Sequence, residues 1–325
     1  MTLAIVFLIA GLVALVLGGE WLVRGAVGLA AKADINPLFI GLVIVGFGTS
    51  MPELVTSVEA AMAGSPAIAW GNIVGSNVAN SLLILGCAAL AGRMAVWSAN
   101  PLRDPLVALG GSALVFALAL SGMGHQAIGL ALLALLIAYI FWCYRSESRT
   151  EAQMVHGEIP ADSTGNSNSE LPETPDGWVK PVGFTLIGLA VLIAGGNLLV
   201  SGAIDLARIA GLSETLIGLT IVAVGTSFPE LVTSVVAARK GEAEVAFGNV
   251  VGSNIYNLLG IGGATMLLAP GAIPANLVPL DLGLVTLSAV AIVLLLIFYR
   301  GVRRLHAVML LLAYFAYLAF LIANA

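Results

Sequence analysis

The sequence predicts an all-α integral membrane protein of ten transmembrane helices, arranged as two inverted-topology five-helix repeats. Three observations predict it. The 325-residue chain is 59% hydrophobic and 10% charged, with a mean hydropathy of +1.04, whereas about 25% of a soluble domain is charged. Apolar runs long enough for a helix to cross roughly 30 Å of hydrocarbon recur along nearly the whole length. Residues 41–86 also align without a gap on residues 218–263, at an offset of 177, with 28 of 46 positions identical.

The spans are read, in order, at 3–23, 37–62, 66–91, 105–122, 125–144, 181–204, 214–238, 243–269, 279–299 and 304–323. The first has no Lys or Arg ahead of its apolar core and no small-residue cleavage signature, so it is expected to be a retained span. Residues 145–180 carry seven acids and three bases around QMVHGEIPADSTGNSNSELPETPDG. Nothing there is periodic, which predicts a disordered linker between halves 1–144 and 181–325. Its acids lack the ordered spacing and turn glycine of a calcium loop. Cys87 and Cys143 give neither a disulfide framework nor metal-ligand spacing.

The offset of 177 also carries GLVALVLGGEWLVRGA (Gly11 to Ala26) onto GLAVLIAGGNLLVSGA (Gly188 to Ala203), so each repeat begins with its own first span. Five spans is an odd number, so the second half enters from the opposite side, and the halves are related by a two-fold axis in the membrane plane. With both termini external and the linker cytoplasmic, 12 of the 13 Lys and Arg residues fall inside, leaving only Arg208 outside. Glu20 and Arg24, four residues apart near the end of the first span, are expected to pair at the interface.

Within the repeat, GTSxPE occurs at Gly48 to Glu53 and at Gly225 to Glu230. Pro52 and Pro229 donate no backbone hydrogen bond and crowd the carbonyl four residues earlier, so the carbonyls of Gly48 and Gly225 are expected to lack their helical partners and the helix to open where the Thr and Ser hydroxyls sit. Glu53 and Glu230 lie midway along their spans. A lone carboxylate there costs about 2.5–3.5 kcal/mol on insertion scales and marks an ion pathway unless a buried base pairs with it, and no span centre offers such a base. The hydroxyls of Thr49, Ser50, Thr226 and Ser227 could bond back to their own helix carbonyls. Beside an opened helix and a carboxylate they also suit a hard cation, whose ligands are carbonyl, hydroxyl and carboxylate oxygens.

The second element, GNxxGSNxxN, runs from Gly71 to Asn80 and from Gly248 to Asn257. Gly71 with Gly75, and Gly248 with Gly252, share a helix face and read as close-packing positions. Ser76 with Asn80, and Ser253 with Asn257, are also four apart and point the same way, toward an oxygen cage around the two glutamates.

These paired elements resemble the calcium/cation antiporter superfamily, in particular the compact prokaryotic branch of sodium/calcium exchangers. The resemblance implies a secondary active antiporter in the inner (cytoplasmic) membrane, exchanging sodium for calcium by alternating access and extruding calcium. It implies no enzymatic activity, cofactor, nucleic acid or obligatory protein partner; the bilayer and the transported calcium and sodium ions are the partners. By the same resemblance Glu53 and Glu230 are the principal cation ligands, with Thr49, Ser50, Thr226 and Ser227 contributing hydroxyls or carbonyls. Ser76, Asn80, Ser253 and Asn257 flank them, and the carbonyls of Gly46 and Ala223 match backbone ligand positions. Some exchangers of the family carry Asp at the position of Asn257, whereas this chain has Asn in both repeats, leaving two formal negative charges. Two charges neutralise one calcium or two sodium ions, which leaves stoichiometry open. Coupling to protons or potassium, and a cation channel, are the competing transport readings. An intramembrane enzyme using Ser50 and Glu53 is disfavoured because His125, His156 and His306 all lie at or outside span ends.

Overall fold

The computed structural model describes residues 2–97, 100–156, 177–209, 225–278 and 280–324. In the first half, α1 (Thr2–Ala33) precedes a broken pair, α2 (Pro37–Thr49) and α3 (Met51–Met62), bent by 44°. α4 (Pro66–Ala91), α5 (Arg103–Ser121) and α6 (Gln126–His156) follow. The second half holds α7 (Val179–Ile209), α8 (Phe228–Arg239), α9 (residues 243–268), α10 (Leu280–Tyr299) and α11 (Arg304–Asn324).

Among the described residues, seven helices are long and apolar enough to cross a membrane, or eight if the bent α2–α3 pair counts as one span. The two other expected spans are at 214–238, described only from residue 225, and at 243–269. There α9 is unbroken.

Helices run further than the apolar runs alone suggest. α1 continues past residue 23 because nothing after Trp21 breaks a helix, and Lys32 in its last turn suits the carbonyl end of the helix dipole. It stops where Asp34 turns to φ 54°. α6 extends to His156, into the segment predicted as linker from residue 145; residues 157–176 lie outside those described. The expected Glu20–Arg24 pair is not formed. Arg24 lies over the Phe184 ring at 4.7 Å from its centroid, and Glu20 lies 3.9 Å from Lys240.

The duplication is legible in the packing of α1 on α7. A Cβ at Gly18 would lie 2.6 Å from the backbone nitrogen of Leu192, and one at Gly195 would lie 2.8 Å from that of Leu15. The offset of 177 turns Gly18 into Gly195 and Leu15 into Leu192, so these are one contact written twice. Gly25 against Thr185, and Gly202 against Leu8, repeat the pattern at the helix ends. The two helices therefore run antiparallel at backbone distance, packed through small residues as membrane helices are. Gly248 and Gly252 pack on the backbones of Leu38 and Leu42 in the same manner. The residues equivalent to those partners, at which Gly71 and Gly75 would pack, are 215 and 219, outside the described residues.

Burial sorts the helices into two layers. Of the apolar span in α4, 78% is buried, against 28% in α1, α6 and α7 and 17% in α11. The motif-bearing helices form the interior and the others present apolar side chains to lipid. One short antiparallel pairing, β1 (Met94–Ala95) with β2 (Gly301–Val302), ties the link after α4 to the turn before α11.

Candidate cation-binding site

The helix breaks where the prolines predict. Ser50 separates α2 from α3 with φ −81° and ψ 6°, and Ser227 takes φ −89° and ψ 6° just before α8. Pro52 and Pro229 sit in the first turn of the new helices, where their missing N–H leaves nothing unsatisfied. Glu53 and Glu230 fall in those same first turns, at the positive end of a helix dipole that favours a carboxylate. Both are 1% exposed. Neither forms an ion pair among the described residues.

Each carboxylate is held by the other half of the chain. Ser227 Oγ donates to Glu53 Oε1 at 3.0 Å, and Ser50 Oγ donates to Glu230 Oε1 at 3.1 Å. Ser227 Oγ also lies 3.4 Å from Ser76 Oγ. The two serine–glutamate bonds are exchanged by the offset of 177, so the two-fold passes between the two glutamates.

Asn72 and Asn249, each the first asparagine of its GNxxGSNxxN element, were not singled out from the sequence and prove central. Asn72 Nδ2 donates to the carbonyl of Glu53 at 3.3 Å and to Ser57 Oγ at 2.9 Å. Asn249 Nδ2 donates to the carbonyl of Glu230 at 3.3 Å and to Ser234 Oγ at 2.8 Å. Their amide oxygens face the opposite half: Thr49 Oγ1 donates to Asn249 Oδ1 at 3.1 Å, and Thr226 Oγ1 to Asn72 Oδ1 at 3.5 Å. Their signal was their identity at both ends of the 177 offset. Thr49 Oγ1 also lies 3.0 Å from the carbonyl of Val45, so its single proton serves either its own helix or the opposite half at any moment.

Asn80 and Asn257 lie in π-helical turns, at Ala79–Ile84 and Tyr256–Ile261. One extra residue per turn rotates the side chains that follow, a device often found at functional sites. Both residues are 1% exposed. Ser253 Oγ donates to the carbonyl of Gly46 at 3.4 Å, which brings these two predicted residues together. Ala223 lies outside the described residues.

Several of these oxygens have no hydrogen-bond partner among the described residues: Glu53 Oε2, Glu230 Oε2, Asn80 Oδ1 and Asn257 Oδ1. An unpartnered buried polar atom costs about 1–3 kcal/mol, and more when charged, and the free carboxylate oxygens of Glu53 and Glu230 suit a ligand that supplies positive charge. No group of three or more His, Cys, Asp or Glu side chains occurs among the described residues. Two carboxylates surrounded by neutral oxygens make a hard-cation donor set of low charge.

The fold and this constellation define an all-α membrane transporter. The chain belongs to the sodium/calcium exchanger protein family, whose sequence profile matches residues 3–145 and again residues 180–323. It is 34% identical over 336 residues to the putative antiporter CaxA of Alkalimonas amylolytica, covering 98% of each chain. It is 32% identical over 349 residues to the sodium/calcium exchanger MaX1 of Methanosarcina acetivorans, covering 98% of this chain and 99% of that one. A solved structure of the sodium-calcium exchanger NCX_Mj, soaked with zero Na+ and Ca2+, superposes with a TM-score of 0.83 at 27% identity, covering 98% of this chain and 99% of that one.

Proposed function

We propose that this protein is a secondary active antiporter that exchanges sodium for calcium across the cytoplasmic membrane and extrudes calcium by alternating access. The observation that carries the reading is the reciprocal arrangement of Glu53 and Glu230, each held through Oε1 by a serine of the opposite half, with Oε2 left for a cation. Membership of the exchanger family supports it, as do the sodium and calcium named for MaX1 and NCX_Mj.

In this reading Glu53 and Glu230 supply the charge. Asn80, Asn257, Ser76 and Ser253 supply neutral oxygens, and Ser50 and Ser227 orient the carboxylates. The hydroxyls of Thr49 and Thr226 are engaged with Asn249 and Asn72, so these two residues contribute their carbonyls, alongside those of Gly46 and Ala223. Two charges balance one calcium or two sodium ions, and the site therefore changes its net charge little between the two loads. The closely packed α1–α7 pair moves as a unit against the interior helices, opening the site to one side at a time. Both termini lie outside and residues 145–180 lie on the cytoplasmic side, which keeps the positive charges inside.

The test is calcium-45 uptake into proteoliposomes loaded in turn with sodium, potassium or a proton gradient. Uptake driven by internal sodium alone is the expected result. Uptake driven by protons, or requiring potassium, would keep the site and change the coupling ion. Downhill uptake that needs no counter-ion would make the protein a channel.

A further inference from the structure

A second built site lies far along the chain from both glutamates, at the β1–β2 pairing. Beside it is a cavity of about 320 Å³ whose lining includes Arg93, Arg300, Arg303 and Arg304, with Trp97 and Tyr299. Arg93 comes from the first half of the chain and the other three arginines from the second. None of the four is in an ion pair among the described residues. Their only described charge-related contact is the stacking of Arg303 over the Tyr299 ring, 4.7 Å from its centroid. The turn that presents them is fixed: Arg300 takes φ 50°, its carbonyl accepts the Val96 N–H at 3.0 Å, and Gly301 pairs with Ala95.

The four exposed arginines outnumber the one carboxylate at the cavity edge, Glu244, which accepts the Trp97 N–H at 2.8 Å, and each guanidinium offers a planar fork of donors that fits phosphate oxygens. The cavity also has an apolar edge. α10 ends at Tyr299, and Phe298, Leu305 and Trp97 beside it are 71%, 69% and 66% exposed. Aromatic and apolar side chains so exposed at a span end sit at the boundary between hydrocarbon and headgroups. Arginines beside exposed apolar side chains at a span end are complementary to one amphiphile, an anionic phospholipid.

We propose that this cavity binds the phosphate headgroup of an anionic phospholipid, with the acyl chains lying along Phe298 and Leu305. The headgroup bridges Arg93 and Arg304, and so clamps the two halves of the chain together at this face.

The experiment is native mass spectrometry of the full-length protein in detergent, with phosphatidylglycerol, phosphatidylcholine of the same acyl chains, or inorganic phosphate added separately. The wild type is expected to retain phosphatidylglycerol at least about tenfold better than phosphatidylcholine. The combined variant Arg93→Gln, Arg300→Gln, Arg304→Gln is expected to lose that preference, and Arg239→Gln, whose exposed side chain is outside the cavity lining, to keep it. If the combined variant does not purify, Arg304→Gln alone is expected to lower the preference several-fold. Equal retention of the two lipids by the wild type, or an undiminished preference in the cavity variants, would overturn the proposal. Binding of inorganic phosphate as tight as that of phosphatidylglycerol would reassign the cavity to a soluble anion and overturn it too.

Discussion

Ser227 donates to Glu53 across the boundary between the two halves of the chain, at 3.0 Å. A hydrogen bond to a charged group contributes about 1.5–3 kcal/mol. Ser227→Ala is therefore expected to weaken calcium binding roughly 10- to 100-fold, read as a rise in KM for calcium-45 uptake. Ser50→Ala, the mate of this change, is expected to have the same effect to within a few-fold. A large disparity would mean that the two glutamates do not share one cation.

Glu53→Gln and Glu230→Gln keep the shape of the side chain and remove its charge. Each is expected to reduce calcium uptake to the level of protein-free vesicles, because one remaining carboxylate cannot neutralise a divalent ion in a dry site. Wild-type transport in either variant would sink the assignment of that residue.

Asn249 bonds to the backbone of Glu230, to Ser234 and to Thr49. Groups that orient a ligand typically cost 10- to 100-fold in metal affinity when removed. Asn249→Ala is expected to fall in that range, and Asn249→Asp to be worse than an isostere should be, since an acceptor would then face the Glu230 carbonyl. Calcium titration of the purified variants, with size-exclusion profiles to confirm folding, separates loss of binding from loss of structure.

Gly18 has no room for a side chain against Leu192. Gly18→Val is expected to force the α1–α7 pair apart and to lower stability by about 1–3 kcal/mol, the usual range for overpacking. The readout is the midpoint of thermal unfolding in detergent. Gly110, on the exposed side of α5 with no neighbour within 4 Å among the described residues, is the control position, and Gly110→Val should leave the midpoint nearly unchanged.

Much of this architecture is written locally. Proline after the GTS triplet opens a helix by removing one N–H, and the same words 177 residues later announce the symmetry. Glu53 and Glu230 were legible because a carboxylate in an apolar run demands a reason. Asn72 and Asn249 were not, because an asparagine near glycines has many innocent readings until its partners are known, and Thr226 is 154 residues from Asn72. The π-helical turns at Asn80 and Asn257 were equally hidden, since backbone spacing there responds to packing and not to any residue type. The Glu20–Arg24 pair failed for a related reason: a good local partner lost to Lys240 and to the Phe184 ring, both brought in by the fold.

The crossed serine–glutamate bonds carry a consequence for how such a chain arose. Neither half contains a finished site: the first owns Glu53 but relies on the second for the hydroxyl that holds it, and the reverse is true of Glu230. This is the self-complementary geometry of a two-fold dimer interface, in which residue i meets j while j meets i. Here both faces of that interface belong to one chain. A lone half could assemble the centre only by meeting a second copy inserted upside down.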